Sequence, residues 1–474
     1  MSDHIPGDDG TRDVIPFSLN LTLDDSADDF FMPEVDRPDM AAPADVVRAN
    51  NGLLREWLPV WLKNMGRMLG IYYSDLDSYP CGASQAVSPH LPEDLETCVV
   101  LGSGSTLTEA LPALRSFKGT VICGPTNLGA CWAHGISPHF CILVDVGSFS
   151  TRYLQKISVP DTYLEEHGLH RPAFLIPTTC EPSAALAAPG KRFYFKHAIQ
   201  GANGLNHPYN ILTALLTPDL GEMMIQAGCV ANAAVLLPSL FALNEKNPFA
   251  HIKRIFLVGV DYAHTHLGRV PAYRYENGAL EAEPVPPAHQ NASAVKITAA
   301  NGVQSDYAML AYKRSLLQLW ERIFPAPGRE KETGLYRLWT CSPKDRTSIT
   351  EIPYAPLRYV LENRTHELRE YTYDELMQQY STYFTKTAGE EYQGLQTAEA
   401  AEKRDGPALL APVHFSNMRR NVEEGIVLLK ERYNTDTEEN KKIMDTFCKN
   451  VDLALRAIPL YEGGNEPSSK PSRV

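Results

Sequence analysis

The chain predicts an α/β fold: a doubly wound, mostly parallel sheet with a helical N-terminal flank and a helical C-terminal region. Three observations predict it. Short apolar runs recur between helical stretches, the alternation that builds a parallel sheet. One run stops abruptly at Gly102-Ser103-Gly104-Ser105-Thr106, and a second stops at Gly259-Val260-Asp261-Tyr262. Open parallel sheets bind ligands at the carboxyl ends of their strands. A Gly-rich end and an acidic end therefore predict a nucleotide site and the chemistry done on the nucleotide.

Taken in order, residues 1–44 read as an acidic, disordered arm, with Asp8-Asp9, Asp24-Asp25 and Asp28-Asp29. Residues 45–79 read as helical. Leu53, Leu54, Trp57, Leu58, Trp61, Leu62, Met65, Met68 and Leu69 recur at three- and four-residue steps, with Pro59 interrupting. Residues 80–94 are a Pro/Gly/Ser connector. The core, residues 95–345, offers strands at 99–101, 120–123, 140–144, 173–176, 192–195, 255–258 and 335–340, a Rossmann-like architecture. Thr106 and Glu109 have the spacing of a capping box for the first core helix, and Pro112 sits awkwardly within it. Gly135 is placed to end the next helix as a left-handed cap. Residues 221–244 read as one long apolar helix and residues 309–323 as another. Between them, 262–305 is rich in Pro, Gly, Ala and His and reads as a long loop or lid. Residues 346–462 form the helical C-terminal region. Met418, Val422, Ile426, Leu429 and Tyr433 share a face there. A disordered tail follows from 463.

Composition narrows the function classes. The net charge of −13 is local: residues 1–40 hold eleven Asp/Glu and two Arg, leaving about −4 on the other 434 residues. A near-neutral body gives no footprint for nucleic acid. No stretch approaches the roughly 20 apolar residues that span a bilayer. No basic start with an apolar core marks a signal peptide. Nine cysteines with no C-x-x-C pair fit a reducing cytoplasm, not a disulfide or zinc scaffold.

The residue types at the strand ends carry the chemistry. Gly102, Ser103, Gly104, Ser105 and Thr106 follow a strand and precede a helix, where glycines allow close backbone approach and the helix start attracts phosphate. The same pattern also serves a plain tight turn. It lacks the third glycine of a dinucleotide fingerprint. Asn127 ends the next strand and suits a base or ribose, or equally an N-cap. Asp145 and Asp261 each end an apolar strand, where a carboxylate holds Mg²⁺, accepts a proton or caps a loop. His264 and His266 alternate after Asp261, and one of them, His264, suits a general base. Asn203, Asn206, His207 and Asn232 are polar residues in small or apolar surroundings, and Asn232, on an apolar helix, needs a partner in the backbone or a ligand. Lys196 and Arg269 are the candidate strand-end cations.

Four stretches carry a resemblance. Val100–Leu107 (V-L-G-S-G-S-T-L) resembles the G-S-G-P-S-L opening of the 6-hydroxymethylpterin diphosphokinase MptE-like domain family. Bacterial motility accessory factor proteins share that domain. Gly135–Asp145, Gly228–Ala234 and Leu257–Ala263 resemble its later motifs in order, so the resemblance covers about 95–345. Ser105 and Thr106 replace the family's Pro and Ser, and His139 stands where Asp is common. The opening is also similar to that of a bacterial sialyltransferase group, where Ser103 replaces Asn. The resemblance implies a nucleotide-dependent transferase. One form is a glycosyltransferase moving a CMP-nonulosonate-like sugar to a protein acceptor such as flagellin, with Gly102–Thr106 and Asn127 on the nucleotide and Asp261 or His264 as base. The large helical flanks would then dock the acceptor. Another is a diphosphokinase using ATP, with Mg²⁺ on Asp145 and Asp261. The third is a scaffold that keeps the fold without the chemistry.

Overall fold

In the computed structural model, residues 64–65, 67–144, 147, 149–198, 217, 220, 223–225, 229–264, 269–284, 297–299, 301–306, 309–310, 312–313, 315–317 and 337–368 are described. Alternation along the strands sets the two faces of the sheet. In β1 (Thr97–Leu101), Val99 and Leu101 enter one apolar cluster and Cys98 and Val100 the other. A strand covered on both faces must be apolar throughout, and every β1 residue is buried. The same holds for β2 (Thr120–Cys123), β3 (Phe140–Ile142) and β4 (Ala173–Pro177).

The remaining strands are β5 (Arg192–Ala198), β6 (Met223–Ile225), β7 (Arg254–Val258), β8 (Tyr273–Glu276), β9 (Ala279–Ala282), β10 (Ile297–Thr298), β11 (Gln304–Ser305) and β12 (Arg337–Thr340). Eight of them form one sheet in the order β12-β7-β1-β2-β3-β4-β5-β6. Every pairing in it is parallel. The chain runs outward from β1 to β6, then returns to place β7 and β12 on the other side of β1. The order therefore reverses between β1 and β7, the topological switch point at which such sheets open a crevice.

Helices cover both faces. One face carries α1 (residues 67–78), α2 (Ser105–Leu114), α3 (Pro125–Ala133) and α4 (Phe149–Lys156). They contribute Met68, Leu69, Tyr72, Leu107, Leu111, Leu128, Trp132 and Leu154. The other face is filled by α7 (Val230–Phe241), through Ala233, Leu237 and Phe241, and by Phe249. Short helices α5 (Asp161–Glu166), α6 (Pro182–Ala187) and α8 (Leu357–Leu361) are also present, and the described residues between 309 and 317 are helical.

Three sequence expectations are corrected. Among the described residues of 221–244, Met223–Ile225 form a strand, β6, and Val230–Phe241 a shorter helix, α7. The stretch 262–305, read from sequence as a long loop or lid, holds two antiparallel ribbons among its described residues, β8–β9 and β10–β11. Thr106 does not cap α2. The N-cap is Gly104, with no side-chain cap, and the Thr106 hydroxyl points elsewhere. Gly135 does take the left-handed conformation, φ 72°. The acidic arm, the C-terminal helical region beyond 368 and the tail lie outside the described residues, as do Asn203, Asn206 and His207.

Candidate functional site

The switch point is built from three glycines and one carboxylate. A Cβ on Gly102 would lie 2.4 Å from the Gly259 carbonyl oxygen, and one on Gly104 would lie 2.3 Å from Asp261 Oδ2. Gly259 adopts φ +71°, and a Cβ there would meet Leu107 Cβ at 2.5 Å. The glycines therefore let the ends of β1 and β7 close on each other. Hydrogen bonds seal the contact: Gly102 N–H donates to Val258 O at 2.8 Å and Gly104 N–H to Gly259 O at 2.7 Å.

Asp261 is the latch between the two ends. It is 1% exposed. Its Oδ1 accepts from Thr106 Oγ1 at 2.5 Å and Ser342 Oγ at 2.6 Å, and its Oδ2 from Thr106 N–H at 3.3 Å. Its carbonyl oxygen accepts from Ser348 N–H at 2.9 Å and Thr347 Oγ1 at 3.1 Å. Burial raises its pKa, opposed by the Ser342 and Thr106 hydrogen bonds and by the Arg346 charge. Such a carboxylate holds backbone segments together. It is poorly placed to reach a substrate.

The two asparagines are also engaged. Asn127 is not an N-cap, because Gly124 holds that position. Its Nδ2 donates to Leu101 O at 3.0 Å, and its Oδ1 accepts from Ser103 Oγ at 3.1 Å. It thus fastens α3 to the end of β1 and orients the Gly-rich turn. Asn232 is fully buried in α7. It donates to Tyr312 O at 2.8 Å and accepts from the Tyr262 hydroxyl.

His264 is the sequence candidate left facing outward. Its backbone N–H is fixed by Gln304 O at 2.7 Å. Its Nε2 lies 2.9 Å from Asp306 Oδ2, with the two side chains 26% and 16% exposed. Asp306 is itself held, since its Oδ1 accepts from Met309 N–H at 2.8 Å. A carboxylate only accepts, so the imidazole donates Nε2–H to it, which in the neutral ring leaves Nδ1 as the acceptor nitrogen. This is the arrangement of a base with an orienting partner.

Beside the same turn, Arg269 pairs its backbone with Gly104, and Val270 N–H donates to Ser103 O at 3.1 Å. Arg269 borders a cleft of about 270 Å³ whose opposite wall is α4. Lys196 belongs elsewhere: it is 5% exposed, with Nζ near Thr217 O.

The structure thus brings Gly102, Ser103, Gly104, Ser105, Thr106, Asn127 and Asp261 to one junction, with His264 three residues further on. Asp145 lies outside the described residues. Asp261 does not fit as a Mg²⁺ ligand, because its oxygens already accept three donors. Among the described residues no group of three His, Cys, Asp or Glu is arranged to hold a metal.

Sequence reasoning missed Ser342 and Asp306. Ser342 follows β12, the neighbour of β7, and obeys the same strand-end rule as Gly102 and Asp261. Asp306 carried a weaker signal, as an Asp preceding the helical stretch from 309.

No protein-family model matches the chain, and no curated protein matches it. Among solved structures it is similar to the MAf glycosyltransferase from Magnetospirillum magneticum AMB-1. That similarity has a TM-score of 0.37 and 14% identity, over 86% of this chain and 61% of that one. The chain spans about three fifths of that structure's length. Likeness at this level assigns neither an activity nor a site residue.

Proposed function

We propose that the chain is a nucleotide-dependent transferase, and more narrowly a glycosyltransferase. It moves a nucleotide-activated sugar of the CMP-nonulosonate kind to a protein hydroxyl. The observation that carries the reading is the His264–Asp306 pair, a part-exposed base with its orienting carboxylate at the carboxyl edge of a parallel sheet. The choice of sugar transfer rests on the resemblance of residues 95–345 to the MptE-like domain of motility accessory factor proteins.

In this reading the acceptor oxygen bonds to the anomeric carbon as the anomeric C–O bond to phosphate breaks. The nucleotide leaves with that electron pair. The acceptor's proton passes to His264 Nδ1, and Asp306 holds the opposite nitrogen and stabilises the imidazolium. Asp261 acts as a positioning residue that keeps the two strand ends in register.

His264→Gln is expected to lower kcat by about 10²–10⁴-fold, read as nucleotide released from the sugar donor in the presence of acceptor. Asp306→Asn keeps the bond to Met309 N–H and is expected to lower kcat less. Neither should alter nucleotide affinity. Unchanged turnover in His264→Gln removes the base assignment.

A thermal-shift titration of the full chain decides the class. CMP, CMP-sugar, UDP-sugar and ATP are each tested with and without Mg²⁺. Stabilisation by CMP species without metal supports sugar transfer. Stabilisation only by ATP with Mg²⁺ favours the diphosphokinase, and none with any nucleotide favours the scaffold. Saturation at 100 times the dissociation constant adds about 2.7 kcal/mol.

A further inference from the structure

The Gly-rich turn is a poor cradle for a phosphate. The N–H groups of Gly102, Gly104 and Thr106 already donate to Val258 O, Gly259 O and Asp261 Oδ2. An anion approaching this edge of the sheet must find its positive charge elsewhere. It finds it one step away, in the cleft between α4 and residues 269–272.

That cleft concentrates cations on a body that, outside residues 1–40, carries a net charge of only about −4. Arg152, Lys156 and Arg269 line it, with Glu283 as the one carboxylate. Glu283 is spent on Lys156, both of its oxygens lying 2.8 Å from Nζ. Among the described residues neither Arg152 nor Arg269 has a carboxylate partner. Arg269 is held against the turn by its backbone pairing with Gly104. Two arginines with no carboxylate partner among the described residues, one of them with its backbone pinned to the turn, form a natural fork for phosphate oxygens.

The same cleft offers a ring-binding wall. Phe149 begins α4 and is 62% exposed, an exposure that core packing does not explain. The Arg152 guanidinium carbon stands 5.9 Å from its ring centroid. Tyr153 follows on the same wall. Aromatic faces next to arginines suit a planar heterocycle attached to a phosphate. The cleft volume of about 270 Å³ lies near the lower end of small-ligand pockets.

We propose that this cleft is a nucleoside-phosphate site, with Arg152 and Arg269 on the phosphate and Phe149 and Tyr153 against the base. The site refines the transferase reading by placing its donor beside the turn, not upon it. It is tested by binding alone, so either proposal can fail without the other.

The experiment is isothermal titration of the full chain with CMP, UMP, AMP and inorganic pyrophosphate at low salt. At least one nucleotide binds the wild-type protein. Arg152→Gln and Arg269→Gln each weaken it about tenfold, and the double variant more, because each removes a charge-assisted contact worth roughly 1.5 kcal/mol. Phe149→Ala weakens the nucleotide while leaving pyrophosphate unchanged. Lys118→Ala, a distant exposed cation paired with Glu93, leaves all binding unchanged. All these side chains are exposed, and far-ultraviolet circular dichroism verifies folding. Wild-type affinity in the double arginine variant overturns the site, as does failure of every probe to bind the wild-type protein. Binding lost with Arg152 and Arg269 but no sugar transfer keeps the site and sinks the transferase. Transfer that survives the double variant with unchanged KM does the reverse.

Discussion

Gly104 and Asp261 show how one atom decides a junction. The hydrogen at Gly104 Cα is the only substituent that fits, since a methyl carbon would stand 2.3 Å from Asp261 Oδ2 and 2.7 Å from Gly259 O. Gly104→Ala must either push the carboxylate off Thr106 or part the two strand ends. Overpacking of this kind costs about 1–3 kcal/mol. Ser342→Ala removes a different support, one hydroxyl bond to a buried carboxylate, at roughly 1.5–3 kcal/mol. Both are read as a lowered urea midpoint with unchanged slope. Unaltered midpoints would mean that the latch contributes nothing. The two halves of the junction were legible in sequence as separate strand ends, but their mutual contact was not. A glycine reports that something comes close. It does not report whether that neighbour is a phosphate or another backbone. Here it is the carbonyl of Gly259. Ser342 was hidden for another reason, standing 81 residues from the carboxylate it serves.

The first helix is clamped to the sheet by a polar network. Asp75, near the end of α1, receives Arg192 Nε at 2.6 Å, Arg192 Nη2 at 2.7 Å and the Tyr194 hydroxyl at 2.6 Å. Tyr79 adds a reciprocal pair with the Arg192 backbone, donating at 2.7 Å and accepting at 2.9 Å. With Met65, Met68 and Tyr72 in the core, the apolar face of α1 is spent on its own sheet. Asp75→Ala leaves a part-buried guanidinium without its counter-charge and is expected to cost about 3 kcal/mol. Asp75→Asn retains one acceptor and should cost less. Equal losses in the two variants would show that charge plays no part. At this scale the helical period of α1 and the apolar runs of β1, β2 and β7 were plain in the sequence, because each has one unambiguous repeat. Met223–Ile225 was not, since three apolar residues fit a strand and a helix equally well. The β8–β9 ribbon had a signal that composition masked. Asn277 and Gly278, both at positive φ, 52° and 82°, make the two-residue turn that joins hairpin strands.

Across the whole molecule, buried imidazoles set the response to acid. His139 opens β3 at the amino edge of the sheet and is 5% exposed. It accepts from Val121 N–H through Nδ1 at 3.0 Å. Burial, then the neighbouring His90 and His170 rings, push its pKa down to about 3. His90 is lowered as well, by burial and then by His170. His197, across from Thr179, is lowered to about 4 by burial. These folded values lie below the unfolded value of about 6.5, so the unfolded chain takes up protons first. The stability that the neutral rings confer is intact above about pH 6.5 and is lost as pH falls toward 4 and then 3. At pH 5 His139 and His197 each withdraw about 2 kcal/mol, a large share of a total near 5–15 kcal/mol. Asp261 acts in the opposite sense. Its raised pKa favours the fold most below the ordinary carboxylate range, and that benefit fades as pH rises through the raised value. It is one group against three, so the fold should weaken steadily between pH 7.5 and 5. Urea midpoints at pH 7.5, 6 and 5 measure this. His139→Gln preserves an acceptor for Val121 N–H and cannot titrate, so its decline over that window should be about 2 kcal/mol smaller than wild type. If the two proteins decline in parallel, the packing around His139, not its protonation, governs the acid response.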